Sequence, residues 1–177
     1  MKKYEFTGET KEIKLLFRTA VLHRIRATVS FGFVKIGDLG GWIEKEENLS
    51  HEGKAWVCGD AKVWGNAKVC GDAEVCGDAK VWGNAEVCGD AEVFSASHVL
   101  VIGAIGSRND FTTFYRDKDN EITVKCGCFL GKIDRFLEKV TQTHGDSKYA
   151  LVYRAAVEVA KLQIDLSGEA PKDADEE

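Results

Sequence analysis

The chain has 177 residues, 30% of them charged, and a net charge of −5. That length accommodates one compact domain, or a repeat body with a small appended domain. The acidic balance argues against a nucleic-acid binder, and the absence of a run of about 18 apolar residues argues against a transmembrane helix. The opening segment MKKYEFTGETKEIK has lysines but no apolar stretch after them, so it is not expected to be a signal peptide. The six cysteines are therefore expected as free thiols in a reducing cytoplasm.

Residues 1–41 read as a strand-rich cap. Ile13–Phe17, Leu22–Val29 and Phe31–Ile36 carry β-branched and apolar residues, and Gly37-Asp38 and Gly40-Gly41 mark turns. Residues 42–105 hold a repeat, entered through an irregular stretch in which Leu49 and Ala55 are already in phase. From Val57 to Glu92 the chain reads VCGDAKVWGNAKVCGDAE and then VCGDAKVWGNAEVCGDAE, two blocks that differ only at Lys68 against Glu86. Inside each block A-x-V-x-G-[DN] recurs every six residues. Ala and Val alternate with outward residues, which is strand periodicity, and Gly-Asp or Gly-Asn supplies corners. Recurrence every six and every eighteen residues predicts three sides per turn, a triangular prism of parallel strands about 4.8 Å apart. Pro171 is the only proline, as continuous backbone hydrogen bonding would require.

Val57 with Ala61, and Val63 with Ala67, resemble the pattern of the left-handed β-helix or hexapeptide-repeat superfamily, an aliphatic residue followed four positions later by a small one. The preceding LHRIRATVSFGFVKIGDLGGWIEKEENLSHEGKAWV resembles the N-terminal segment of a bacterial and phage family of that kind, labelled transferase-like or polymer-forming. The resemblance covers roughly residues 13–105. It implies a mainly β fold, a left-handed parallel β-helix (a three-sided solenoid), and its handedness comes from the resemblance alone. The chain departs from the pattern by carrying Cys or Trp after the valine.

Residues 106–166 are expected to form a small C-terminal α+β (ββαα) module. Phe111–Arg116 and Ile122–Cys128 make a hairpin around Asp117–Asn120. Ile133, Phe136, Leu137 and Val140 mark an amphipathic helix, and a second helix runs from about Ser147 to Ile164. The acidic tail, 167–177, lacks large apolar residues and is expected to be disordered.

Function is sought in the outward columns. One face presents Lys62, Trp64, Lys80 and Trp82, with His98 and Leu100 beyond. Another presents Trp56, Cys58, Glu74, Cys76, Glu92 and Phe94. Their apolar rows ask for a cover and their charges are complementary, so the two faces are expected to meet in a homotrimer. The rival is the C-terminal helices folding back over the tryptophans. Cys58 and Cys76, and Cys70 and Cys88, stack as neighbours and are read as small apolar surface rather than disulfides. A second candidate site, for an anion, a nucleotide or a protein partner, is Arg108, Asn109, Asp110, Thr112, Thr113 and Tyr115. Its plainer reading is a linker turn.

Catalysis has one weak candidate, His98, the only histidine within the hexads, and an acyltransferase using a CoA or nucleotide-linked donor is the enzymatic alternative. His51 and His98 are too few for a metal-dependent hydratase. Cys126, Cys128 and His144 lack a fourth zinc ligand. The sequence thus points to no cofactor and no metal. The leading expectation is a non-enzymatic oligomeric scaffold that displays its C-terminal module to a protein partner. The resemblance suggests a phage-encoded protein in the host cytoplasm, acting on a host protein or defence component. The third alternative is a polymer-forming structural protein.

Overall fold

A computed structural model describes residues 2–167; of the expected disordered tail, 168–177 lie outside the described residues. Three strands precede the repeat: β1 (Tyr4–Lys14), β2 (Thr19–Ala27) and β3 (Leu39–Ile43). β1 and β2 form an antiparallel hairpin, and β3 pairs antiparallel with β2. The repeat then supplies seven two-residue strands: β4 (Trp56–Val57), β5 (Lys62–Val63), β6 (Lys68–Val69), β7 (Glu74–Val75), β8 (Lys80–Val81), β9 (Glu86–Val87) and β10 (Glu92–Val93). β4 to β9 are short because a glycine at positive φ follows each after one residue, Gly71 at +72° being one; β10 instead runs through Phe94-Ser95 into a 3-10 turn. A Cβ on Gly71 would come within 2.7 Å of the Gly89 nitrogen, so stacked corners exclude side chains as firmly as the backbone angle does.

Pairing within the repeat is parallel between residues eighteen apart. Trp56 pairs with Glu74 and Glu74 with Glu92, Lys62 with Lys80, and Lys68 with Glu86. The corners bond in the same register, Asp60 N–H to Gly77 O at 3.0 Å and Asp72 N–H to Gly89 O at 3.0 Å. The alanine and valine columns are fully buried and form one core with Tyr4, Ile25, Ile43 and Leu49 at one end and Tyr115 at the other.

The expectation of a left-handed parallel β-helix, a regular hexapeptide-repeat solenoid, is corrected by the topology. The β-structure falls into four separate sheets, ordered β1-β2-β3-β5-β8, β10-β7-β4, β6-β9 and a four-stranded C-terminal sheet. None is closed, and none is a continuous solenoid wall. The corners cut the repeat strands to two residues, and the antiparallel β1–β2 hairpin turns the largest sheet into a mixed one.

The cysteines are a second correction. Cys58–Cys76 and Cys70–Cys88 are disulfides, each with Cα atoms 4.6 Å apart, inside the roughly 4.4–6.8 Å that a disulfide spans. Cys126 and Cys128 are free.

The C-terminal module has more strands than expected. β11 (Val99–Ile105), β12 (Asp110–Arg116), β13 (Ile122–Cys126) and β14 (Phe129–Lys132) make an antiparallel meander. Two helices follow, α1 (Ile133–His144) and α2 (Lys148–Gln163). One face of this sheet docks on the repeat: the Glu86 N–H donates to Thr113 Oγ1 at 3.0 Å, and the buried Tyr115 hydroxyl donates to Cys88 O at 2.8 Å. The other face, with Phe114 and Val124, packs under Phe136, Val140, Tyr153 and Val157 of the helices. The order of layers is repeat body, sheet, helices. No described helix is long and apolar enough to cross a membrane.

Candidate functional site

Where the β12–β13 side of the sheet meets the β6–β9 side of the repeat, a cleft of about 400 Å³ opens. Its repeat wall is Asn66, Lys68, Asn84 and Glu86, and its sheet wall is Asp110, Phe111, Thr113, Lys125 and Gly127. Asn66 and Asn84 occupy successive corners, and the amide of Asn66 donates to Asn84 Oδ1 at 3.2 Å. Glu86 pairs with Lys125 across the cleft at 3.2 Å, and Lys125 also donates to Gly127 O. Lys68, register partner of Glu86, is exposed; its N–H donates to Ala85 O at 2.9 Å, but its ammonium has no hydrogen-bond or ion-pair partner among the described residues. Phe111 is 37% exposed. Arg108 lies against Gly127 at the rim. The cleft thus combines one uncommitted ammonium group, a carboxylate, Asp110, that accepts only the Phe111 N–H, a bound Lys–Glu pair, paired amides and an aromatic face.

The six residues expected here are divided by strand alternation. Asp110 and Thr113 line the cleft and Arg108 borders it. Asn109, at φ 52°, shapes the β11–β12 turn, its N–H donating to Gly106 O at 3.3 Å. Thr112 points to the opposite side, its hydroxyl donating to Cys126 Sγ at 3.3 Å. Tyr115 is buried in the docking contact, and burial pushes its hydroxyl well above the usual phenol range. Asn66, Lys68, Asn84, Glu86, Phe111 and Lys125 were not among the candidates. One signal marked them: the only difference between the two blocks, Lys68 against Glu86, falls on the wall of this cleft.

The row expected to bind a second subunit is largely covered within the chain. Trp64, 7% exposed, packs with Leu22 and Trp42, and Ile13 and Leu15 of the N-terminal hairpin lie against them. Trp82 stacks on Trp64 at 6.1 Å and stays 60% exposed. Lys62 is held by Asp60 at 2.6 Å, and Lys80 is exposed. On the other face Phe94 is buried, with the Arg116 guanidinium 5.7 Å from its ring centre. Cys76 is cross-linked to Cys58, and Glu74 and Glu92 are half-buried.

His98 is not the outward side chain expected. It is 4% exposed, in a short 3-10 turn, and its Nδ1 accepts the Phe94 N–H at 3.1 Å. Burial, with Arg116 nearby, holds its pKa below the ordinary histidine value, against the pull of Asp165 and Asp78. Cys126, Cys128 and His144 are not gathered: His144 stacks on Tyr153, and no group of three or more metal-ligating side chains occurs among the described residues.

A second polar centre lies at the β12–β13 turn. The buried Asp117 carboxylate accepts from Lys132 Nζ and Thr123 Oγ1, each at 2.5 Å, and from the N–H groups of Asp119 and Glu121. Lys132 also meets Asp119 and Glu121, so its ammonium fills the space among three carboxylates.

No protein-family model and no curated protein matches the chain. Membership of the hexapeptide-repeat family, and the phage transferase-like or polymer-forming type within it, is corrected accordingly.

Proposed function

We propose that the protein is a non-enzymatic binding protein whose recognition site is the cleft between the repeat body and the C-terminal sheet, and that the site takes an acidic segment of a partner protein. The observation that carries this reading is Lys68. It is the uncommitted cation of the cleft, beside a Lys125 already balanced by Glu86, and Arg108 at the rim adds a second cation against the unpaired Asp110 carboxylate. A carboxylate seated on Lys68 would form a charge-assisted hydrogen bond, and the Asn66–Asn84 pair offers donors and acceptors to a peptide backbone. The volume lies within the range of built ligand sites, roughly 300–1,000 Å³. Both ends of the valine–alanine core are closed by the chain itself, by the N-terminal strands and by Tyr115, which weighs against end-to-end polymerisation. His98 buried under Phe94 weighs against acyl transfer.

Phe111 favours a second reading, a nucleotide with its base on the ring and its phosphate on Lys68. Calorimetric titration with Glu-rich peptides, uncharged peptides of equal length, and nucleotides separates the two. Expected is salt-sensitive binding of the acidic peptides that Lys68→Glu weakens at least about tenfold. Saturable nucleotide binding lost in Phe111→Ala would select the second reading. Binding of neither would reject the cleft as the site.

A further inference from the structure

Two charged side chains lining the cleft lack an ionic partner among the described residues, and they have opposite signs. Lys68 is one. The other is the exposed Asp110, whose carboxylate accepts only the N–H of the adjacent Phe111, at 2.7 Å. The other cations around the cleft do not neutralise it. Lys125 is paired with Glu86, and Lys45 donates to Asn66 Oδ1 at 3.4 Å. Arg108 lies against Gly127 and forms no ion pair with Asp110 among the described residues. Strand β12 follows the last turn of the repeat two residues at a time: Thr113 Oγ1 accepts the Glu86 N–H, and the Tyr115 hydroxyl donates to Cys88 O. The same step sets Phe111 beside Asn84, with Asp110 at that end of the cleft. Lys68, the register partner of Glu86, stands at the Thr113 end. Three residues of strand, on the order of 10 Å, separate the two unlike charges.

We infer that the cleft selects an extended segment carrying a basic residue as well as an acidic one, the acid on Lys68 and the base on Asp110. This selectivity rests on the acidic-segment reading proposed above and narrows it. A purely acidic segment that fills the cleft would set a second carboxylate against Asp110, and like charges in contact discriminate against a wrong partner. A segment with one charge of each sign satisfies both lone groups. Side chains two residues apart on an extended chain share a face and stand about 7 Å apart, and the length of Glu and Arg side chains spans the remainder. Phe111 makes arginine the better base. Its ring is 37% exposed and adjoins Asp110, so a planar guanidinium can lie on the ring while its edge bonds the carboxylate. Asp110 is then a specificity residue: it decides which acidic segment the cleft accepts.

Calorimetric titration of the full chain with peptides of equal length, built around Glu-x-Arg, Arg-x-Glu, Glu-x-Gln and Glu-x-Glu, tests the selectivity. Both mixed orders are used because an extended segment can enter the cleft in either direction. The better mixed peptide should bind about fivefold more tightly than Glu-x-Gln, the size of an exposed ion pair, and Glu-x-Glu no more tightly than Glu-x-Gln. In Asp110→Asn, whose amide oxygen can still accept the Phe111 N–H, the mixed peptide should lose that advantage. Glu-x-Glu binding as tightly as the better mixed peptide would overturn the selectivity and leave the cleft an acidic-segment site. So would an advantage of the mixed peptide that survives Asp110→Asn. Binding of none of the four peptides would instead remove the cleft as the recognition site, and the selectivity with it.

Discussion

Trp64 and Trp82 show how far identical sequence environments diverge in the fold. Both sit in V-W-G-N, eighteen residues apart, and their rings stack with an interplanar angle of 8°. The first is buried under the N-terminal hairpin and the second is 60% exposed. Trp64→Ala should therefore cost about 3–5 kcal/mol, the range for a buried tryptophan, and Trp82→Ala less than about 1.5 kcal/mol, mostly lost ring stacking. Urea unfolding followed by circular dichroism measures the difference, and equal costs would contradict the burial. The repeat was legible in the sequence to this degree: which residues point inward follows from the alternation, but which outward tryptophan is covered does not. The covering residues, Ile13, Leu15 and Leu22, are tens of positions away and carry no mark of their destination. Lys68 is the reverse case, since its departure from exact repetition was visible although its meaning depended on where the C-terminal sheet docks.

The β12–β13 turn depends on one carboxylate. Burial acts to raise the pKa of Asp117, but hydrogen bonds from Lys132, Thr123 and the Glu121 N–H outweigh it and hold the group below its ordinary value. A carboxyl with a lowered folded pKa stabilises the fold above its unfolded pKa, and that contribution disappears as pH falls through the folded value. Asp117→Asn should therefore be less stable than the unmodified protein at pH 7, with the gap closing as pH drops below about 4, the ordinary aspartate value. Taking the difference between the two proteins removes the parallel contribution of Asp60, whose pKa two lysines hold down at about 2. A gap that stays constant from pH 7 to pH 3 would show that the carboxylate charge does not matter. At this scale the hairpin and both helices were legible from apolar spacing and turn residues. β11 and β14 were not, because Val99–Ile105 continues the phase of the repeat and Phe129–Lys132 is too short to show a period. The regular solenoid was over-read for a related reason: exact recurrence fixes a register of eighteen residues, but not whether the resulting strands join into one sheet.

Across the whole molecule, the two disulfides link turns that backbone hydrogen bonds already hold together, Cys58 N–H to Val75 O at 2.9 Å and Cys70 N–H to Val87 O at 3.0 Å. Reduction removes no native backbone contact. Its cost lies in the unfolded chain, which regains the freedom of two loops, each closed by cysteines eighteen residues apart. Chain-entropy arguments put such a loop at about 3 kcal/mol. For a chain of this size, 1 kcal/mol shifts the melting temperature by about 2–4 °C, and both loops together place the reduced protein on the order of 10 °C or more below the oxidised one. Far-UV circular dichroism at 25 °C should be nearly the same for the two forms. Alkylation of the native protein without reductant should label Cys126 and Cys128 alone, the exposed Cys128 faster than the partly covered Cys126. Labelling of Cys58, Cys70, Cys76 or Cys88 under those conditions, read by peptide mass, would show that the stacked pairs are thiols. The melting temperature should then be indifferent to reductant.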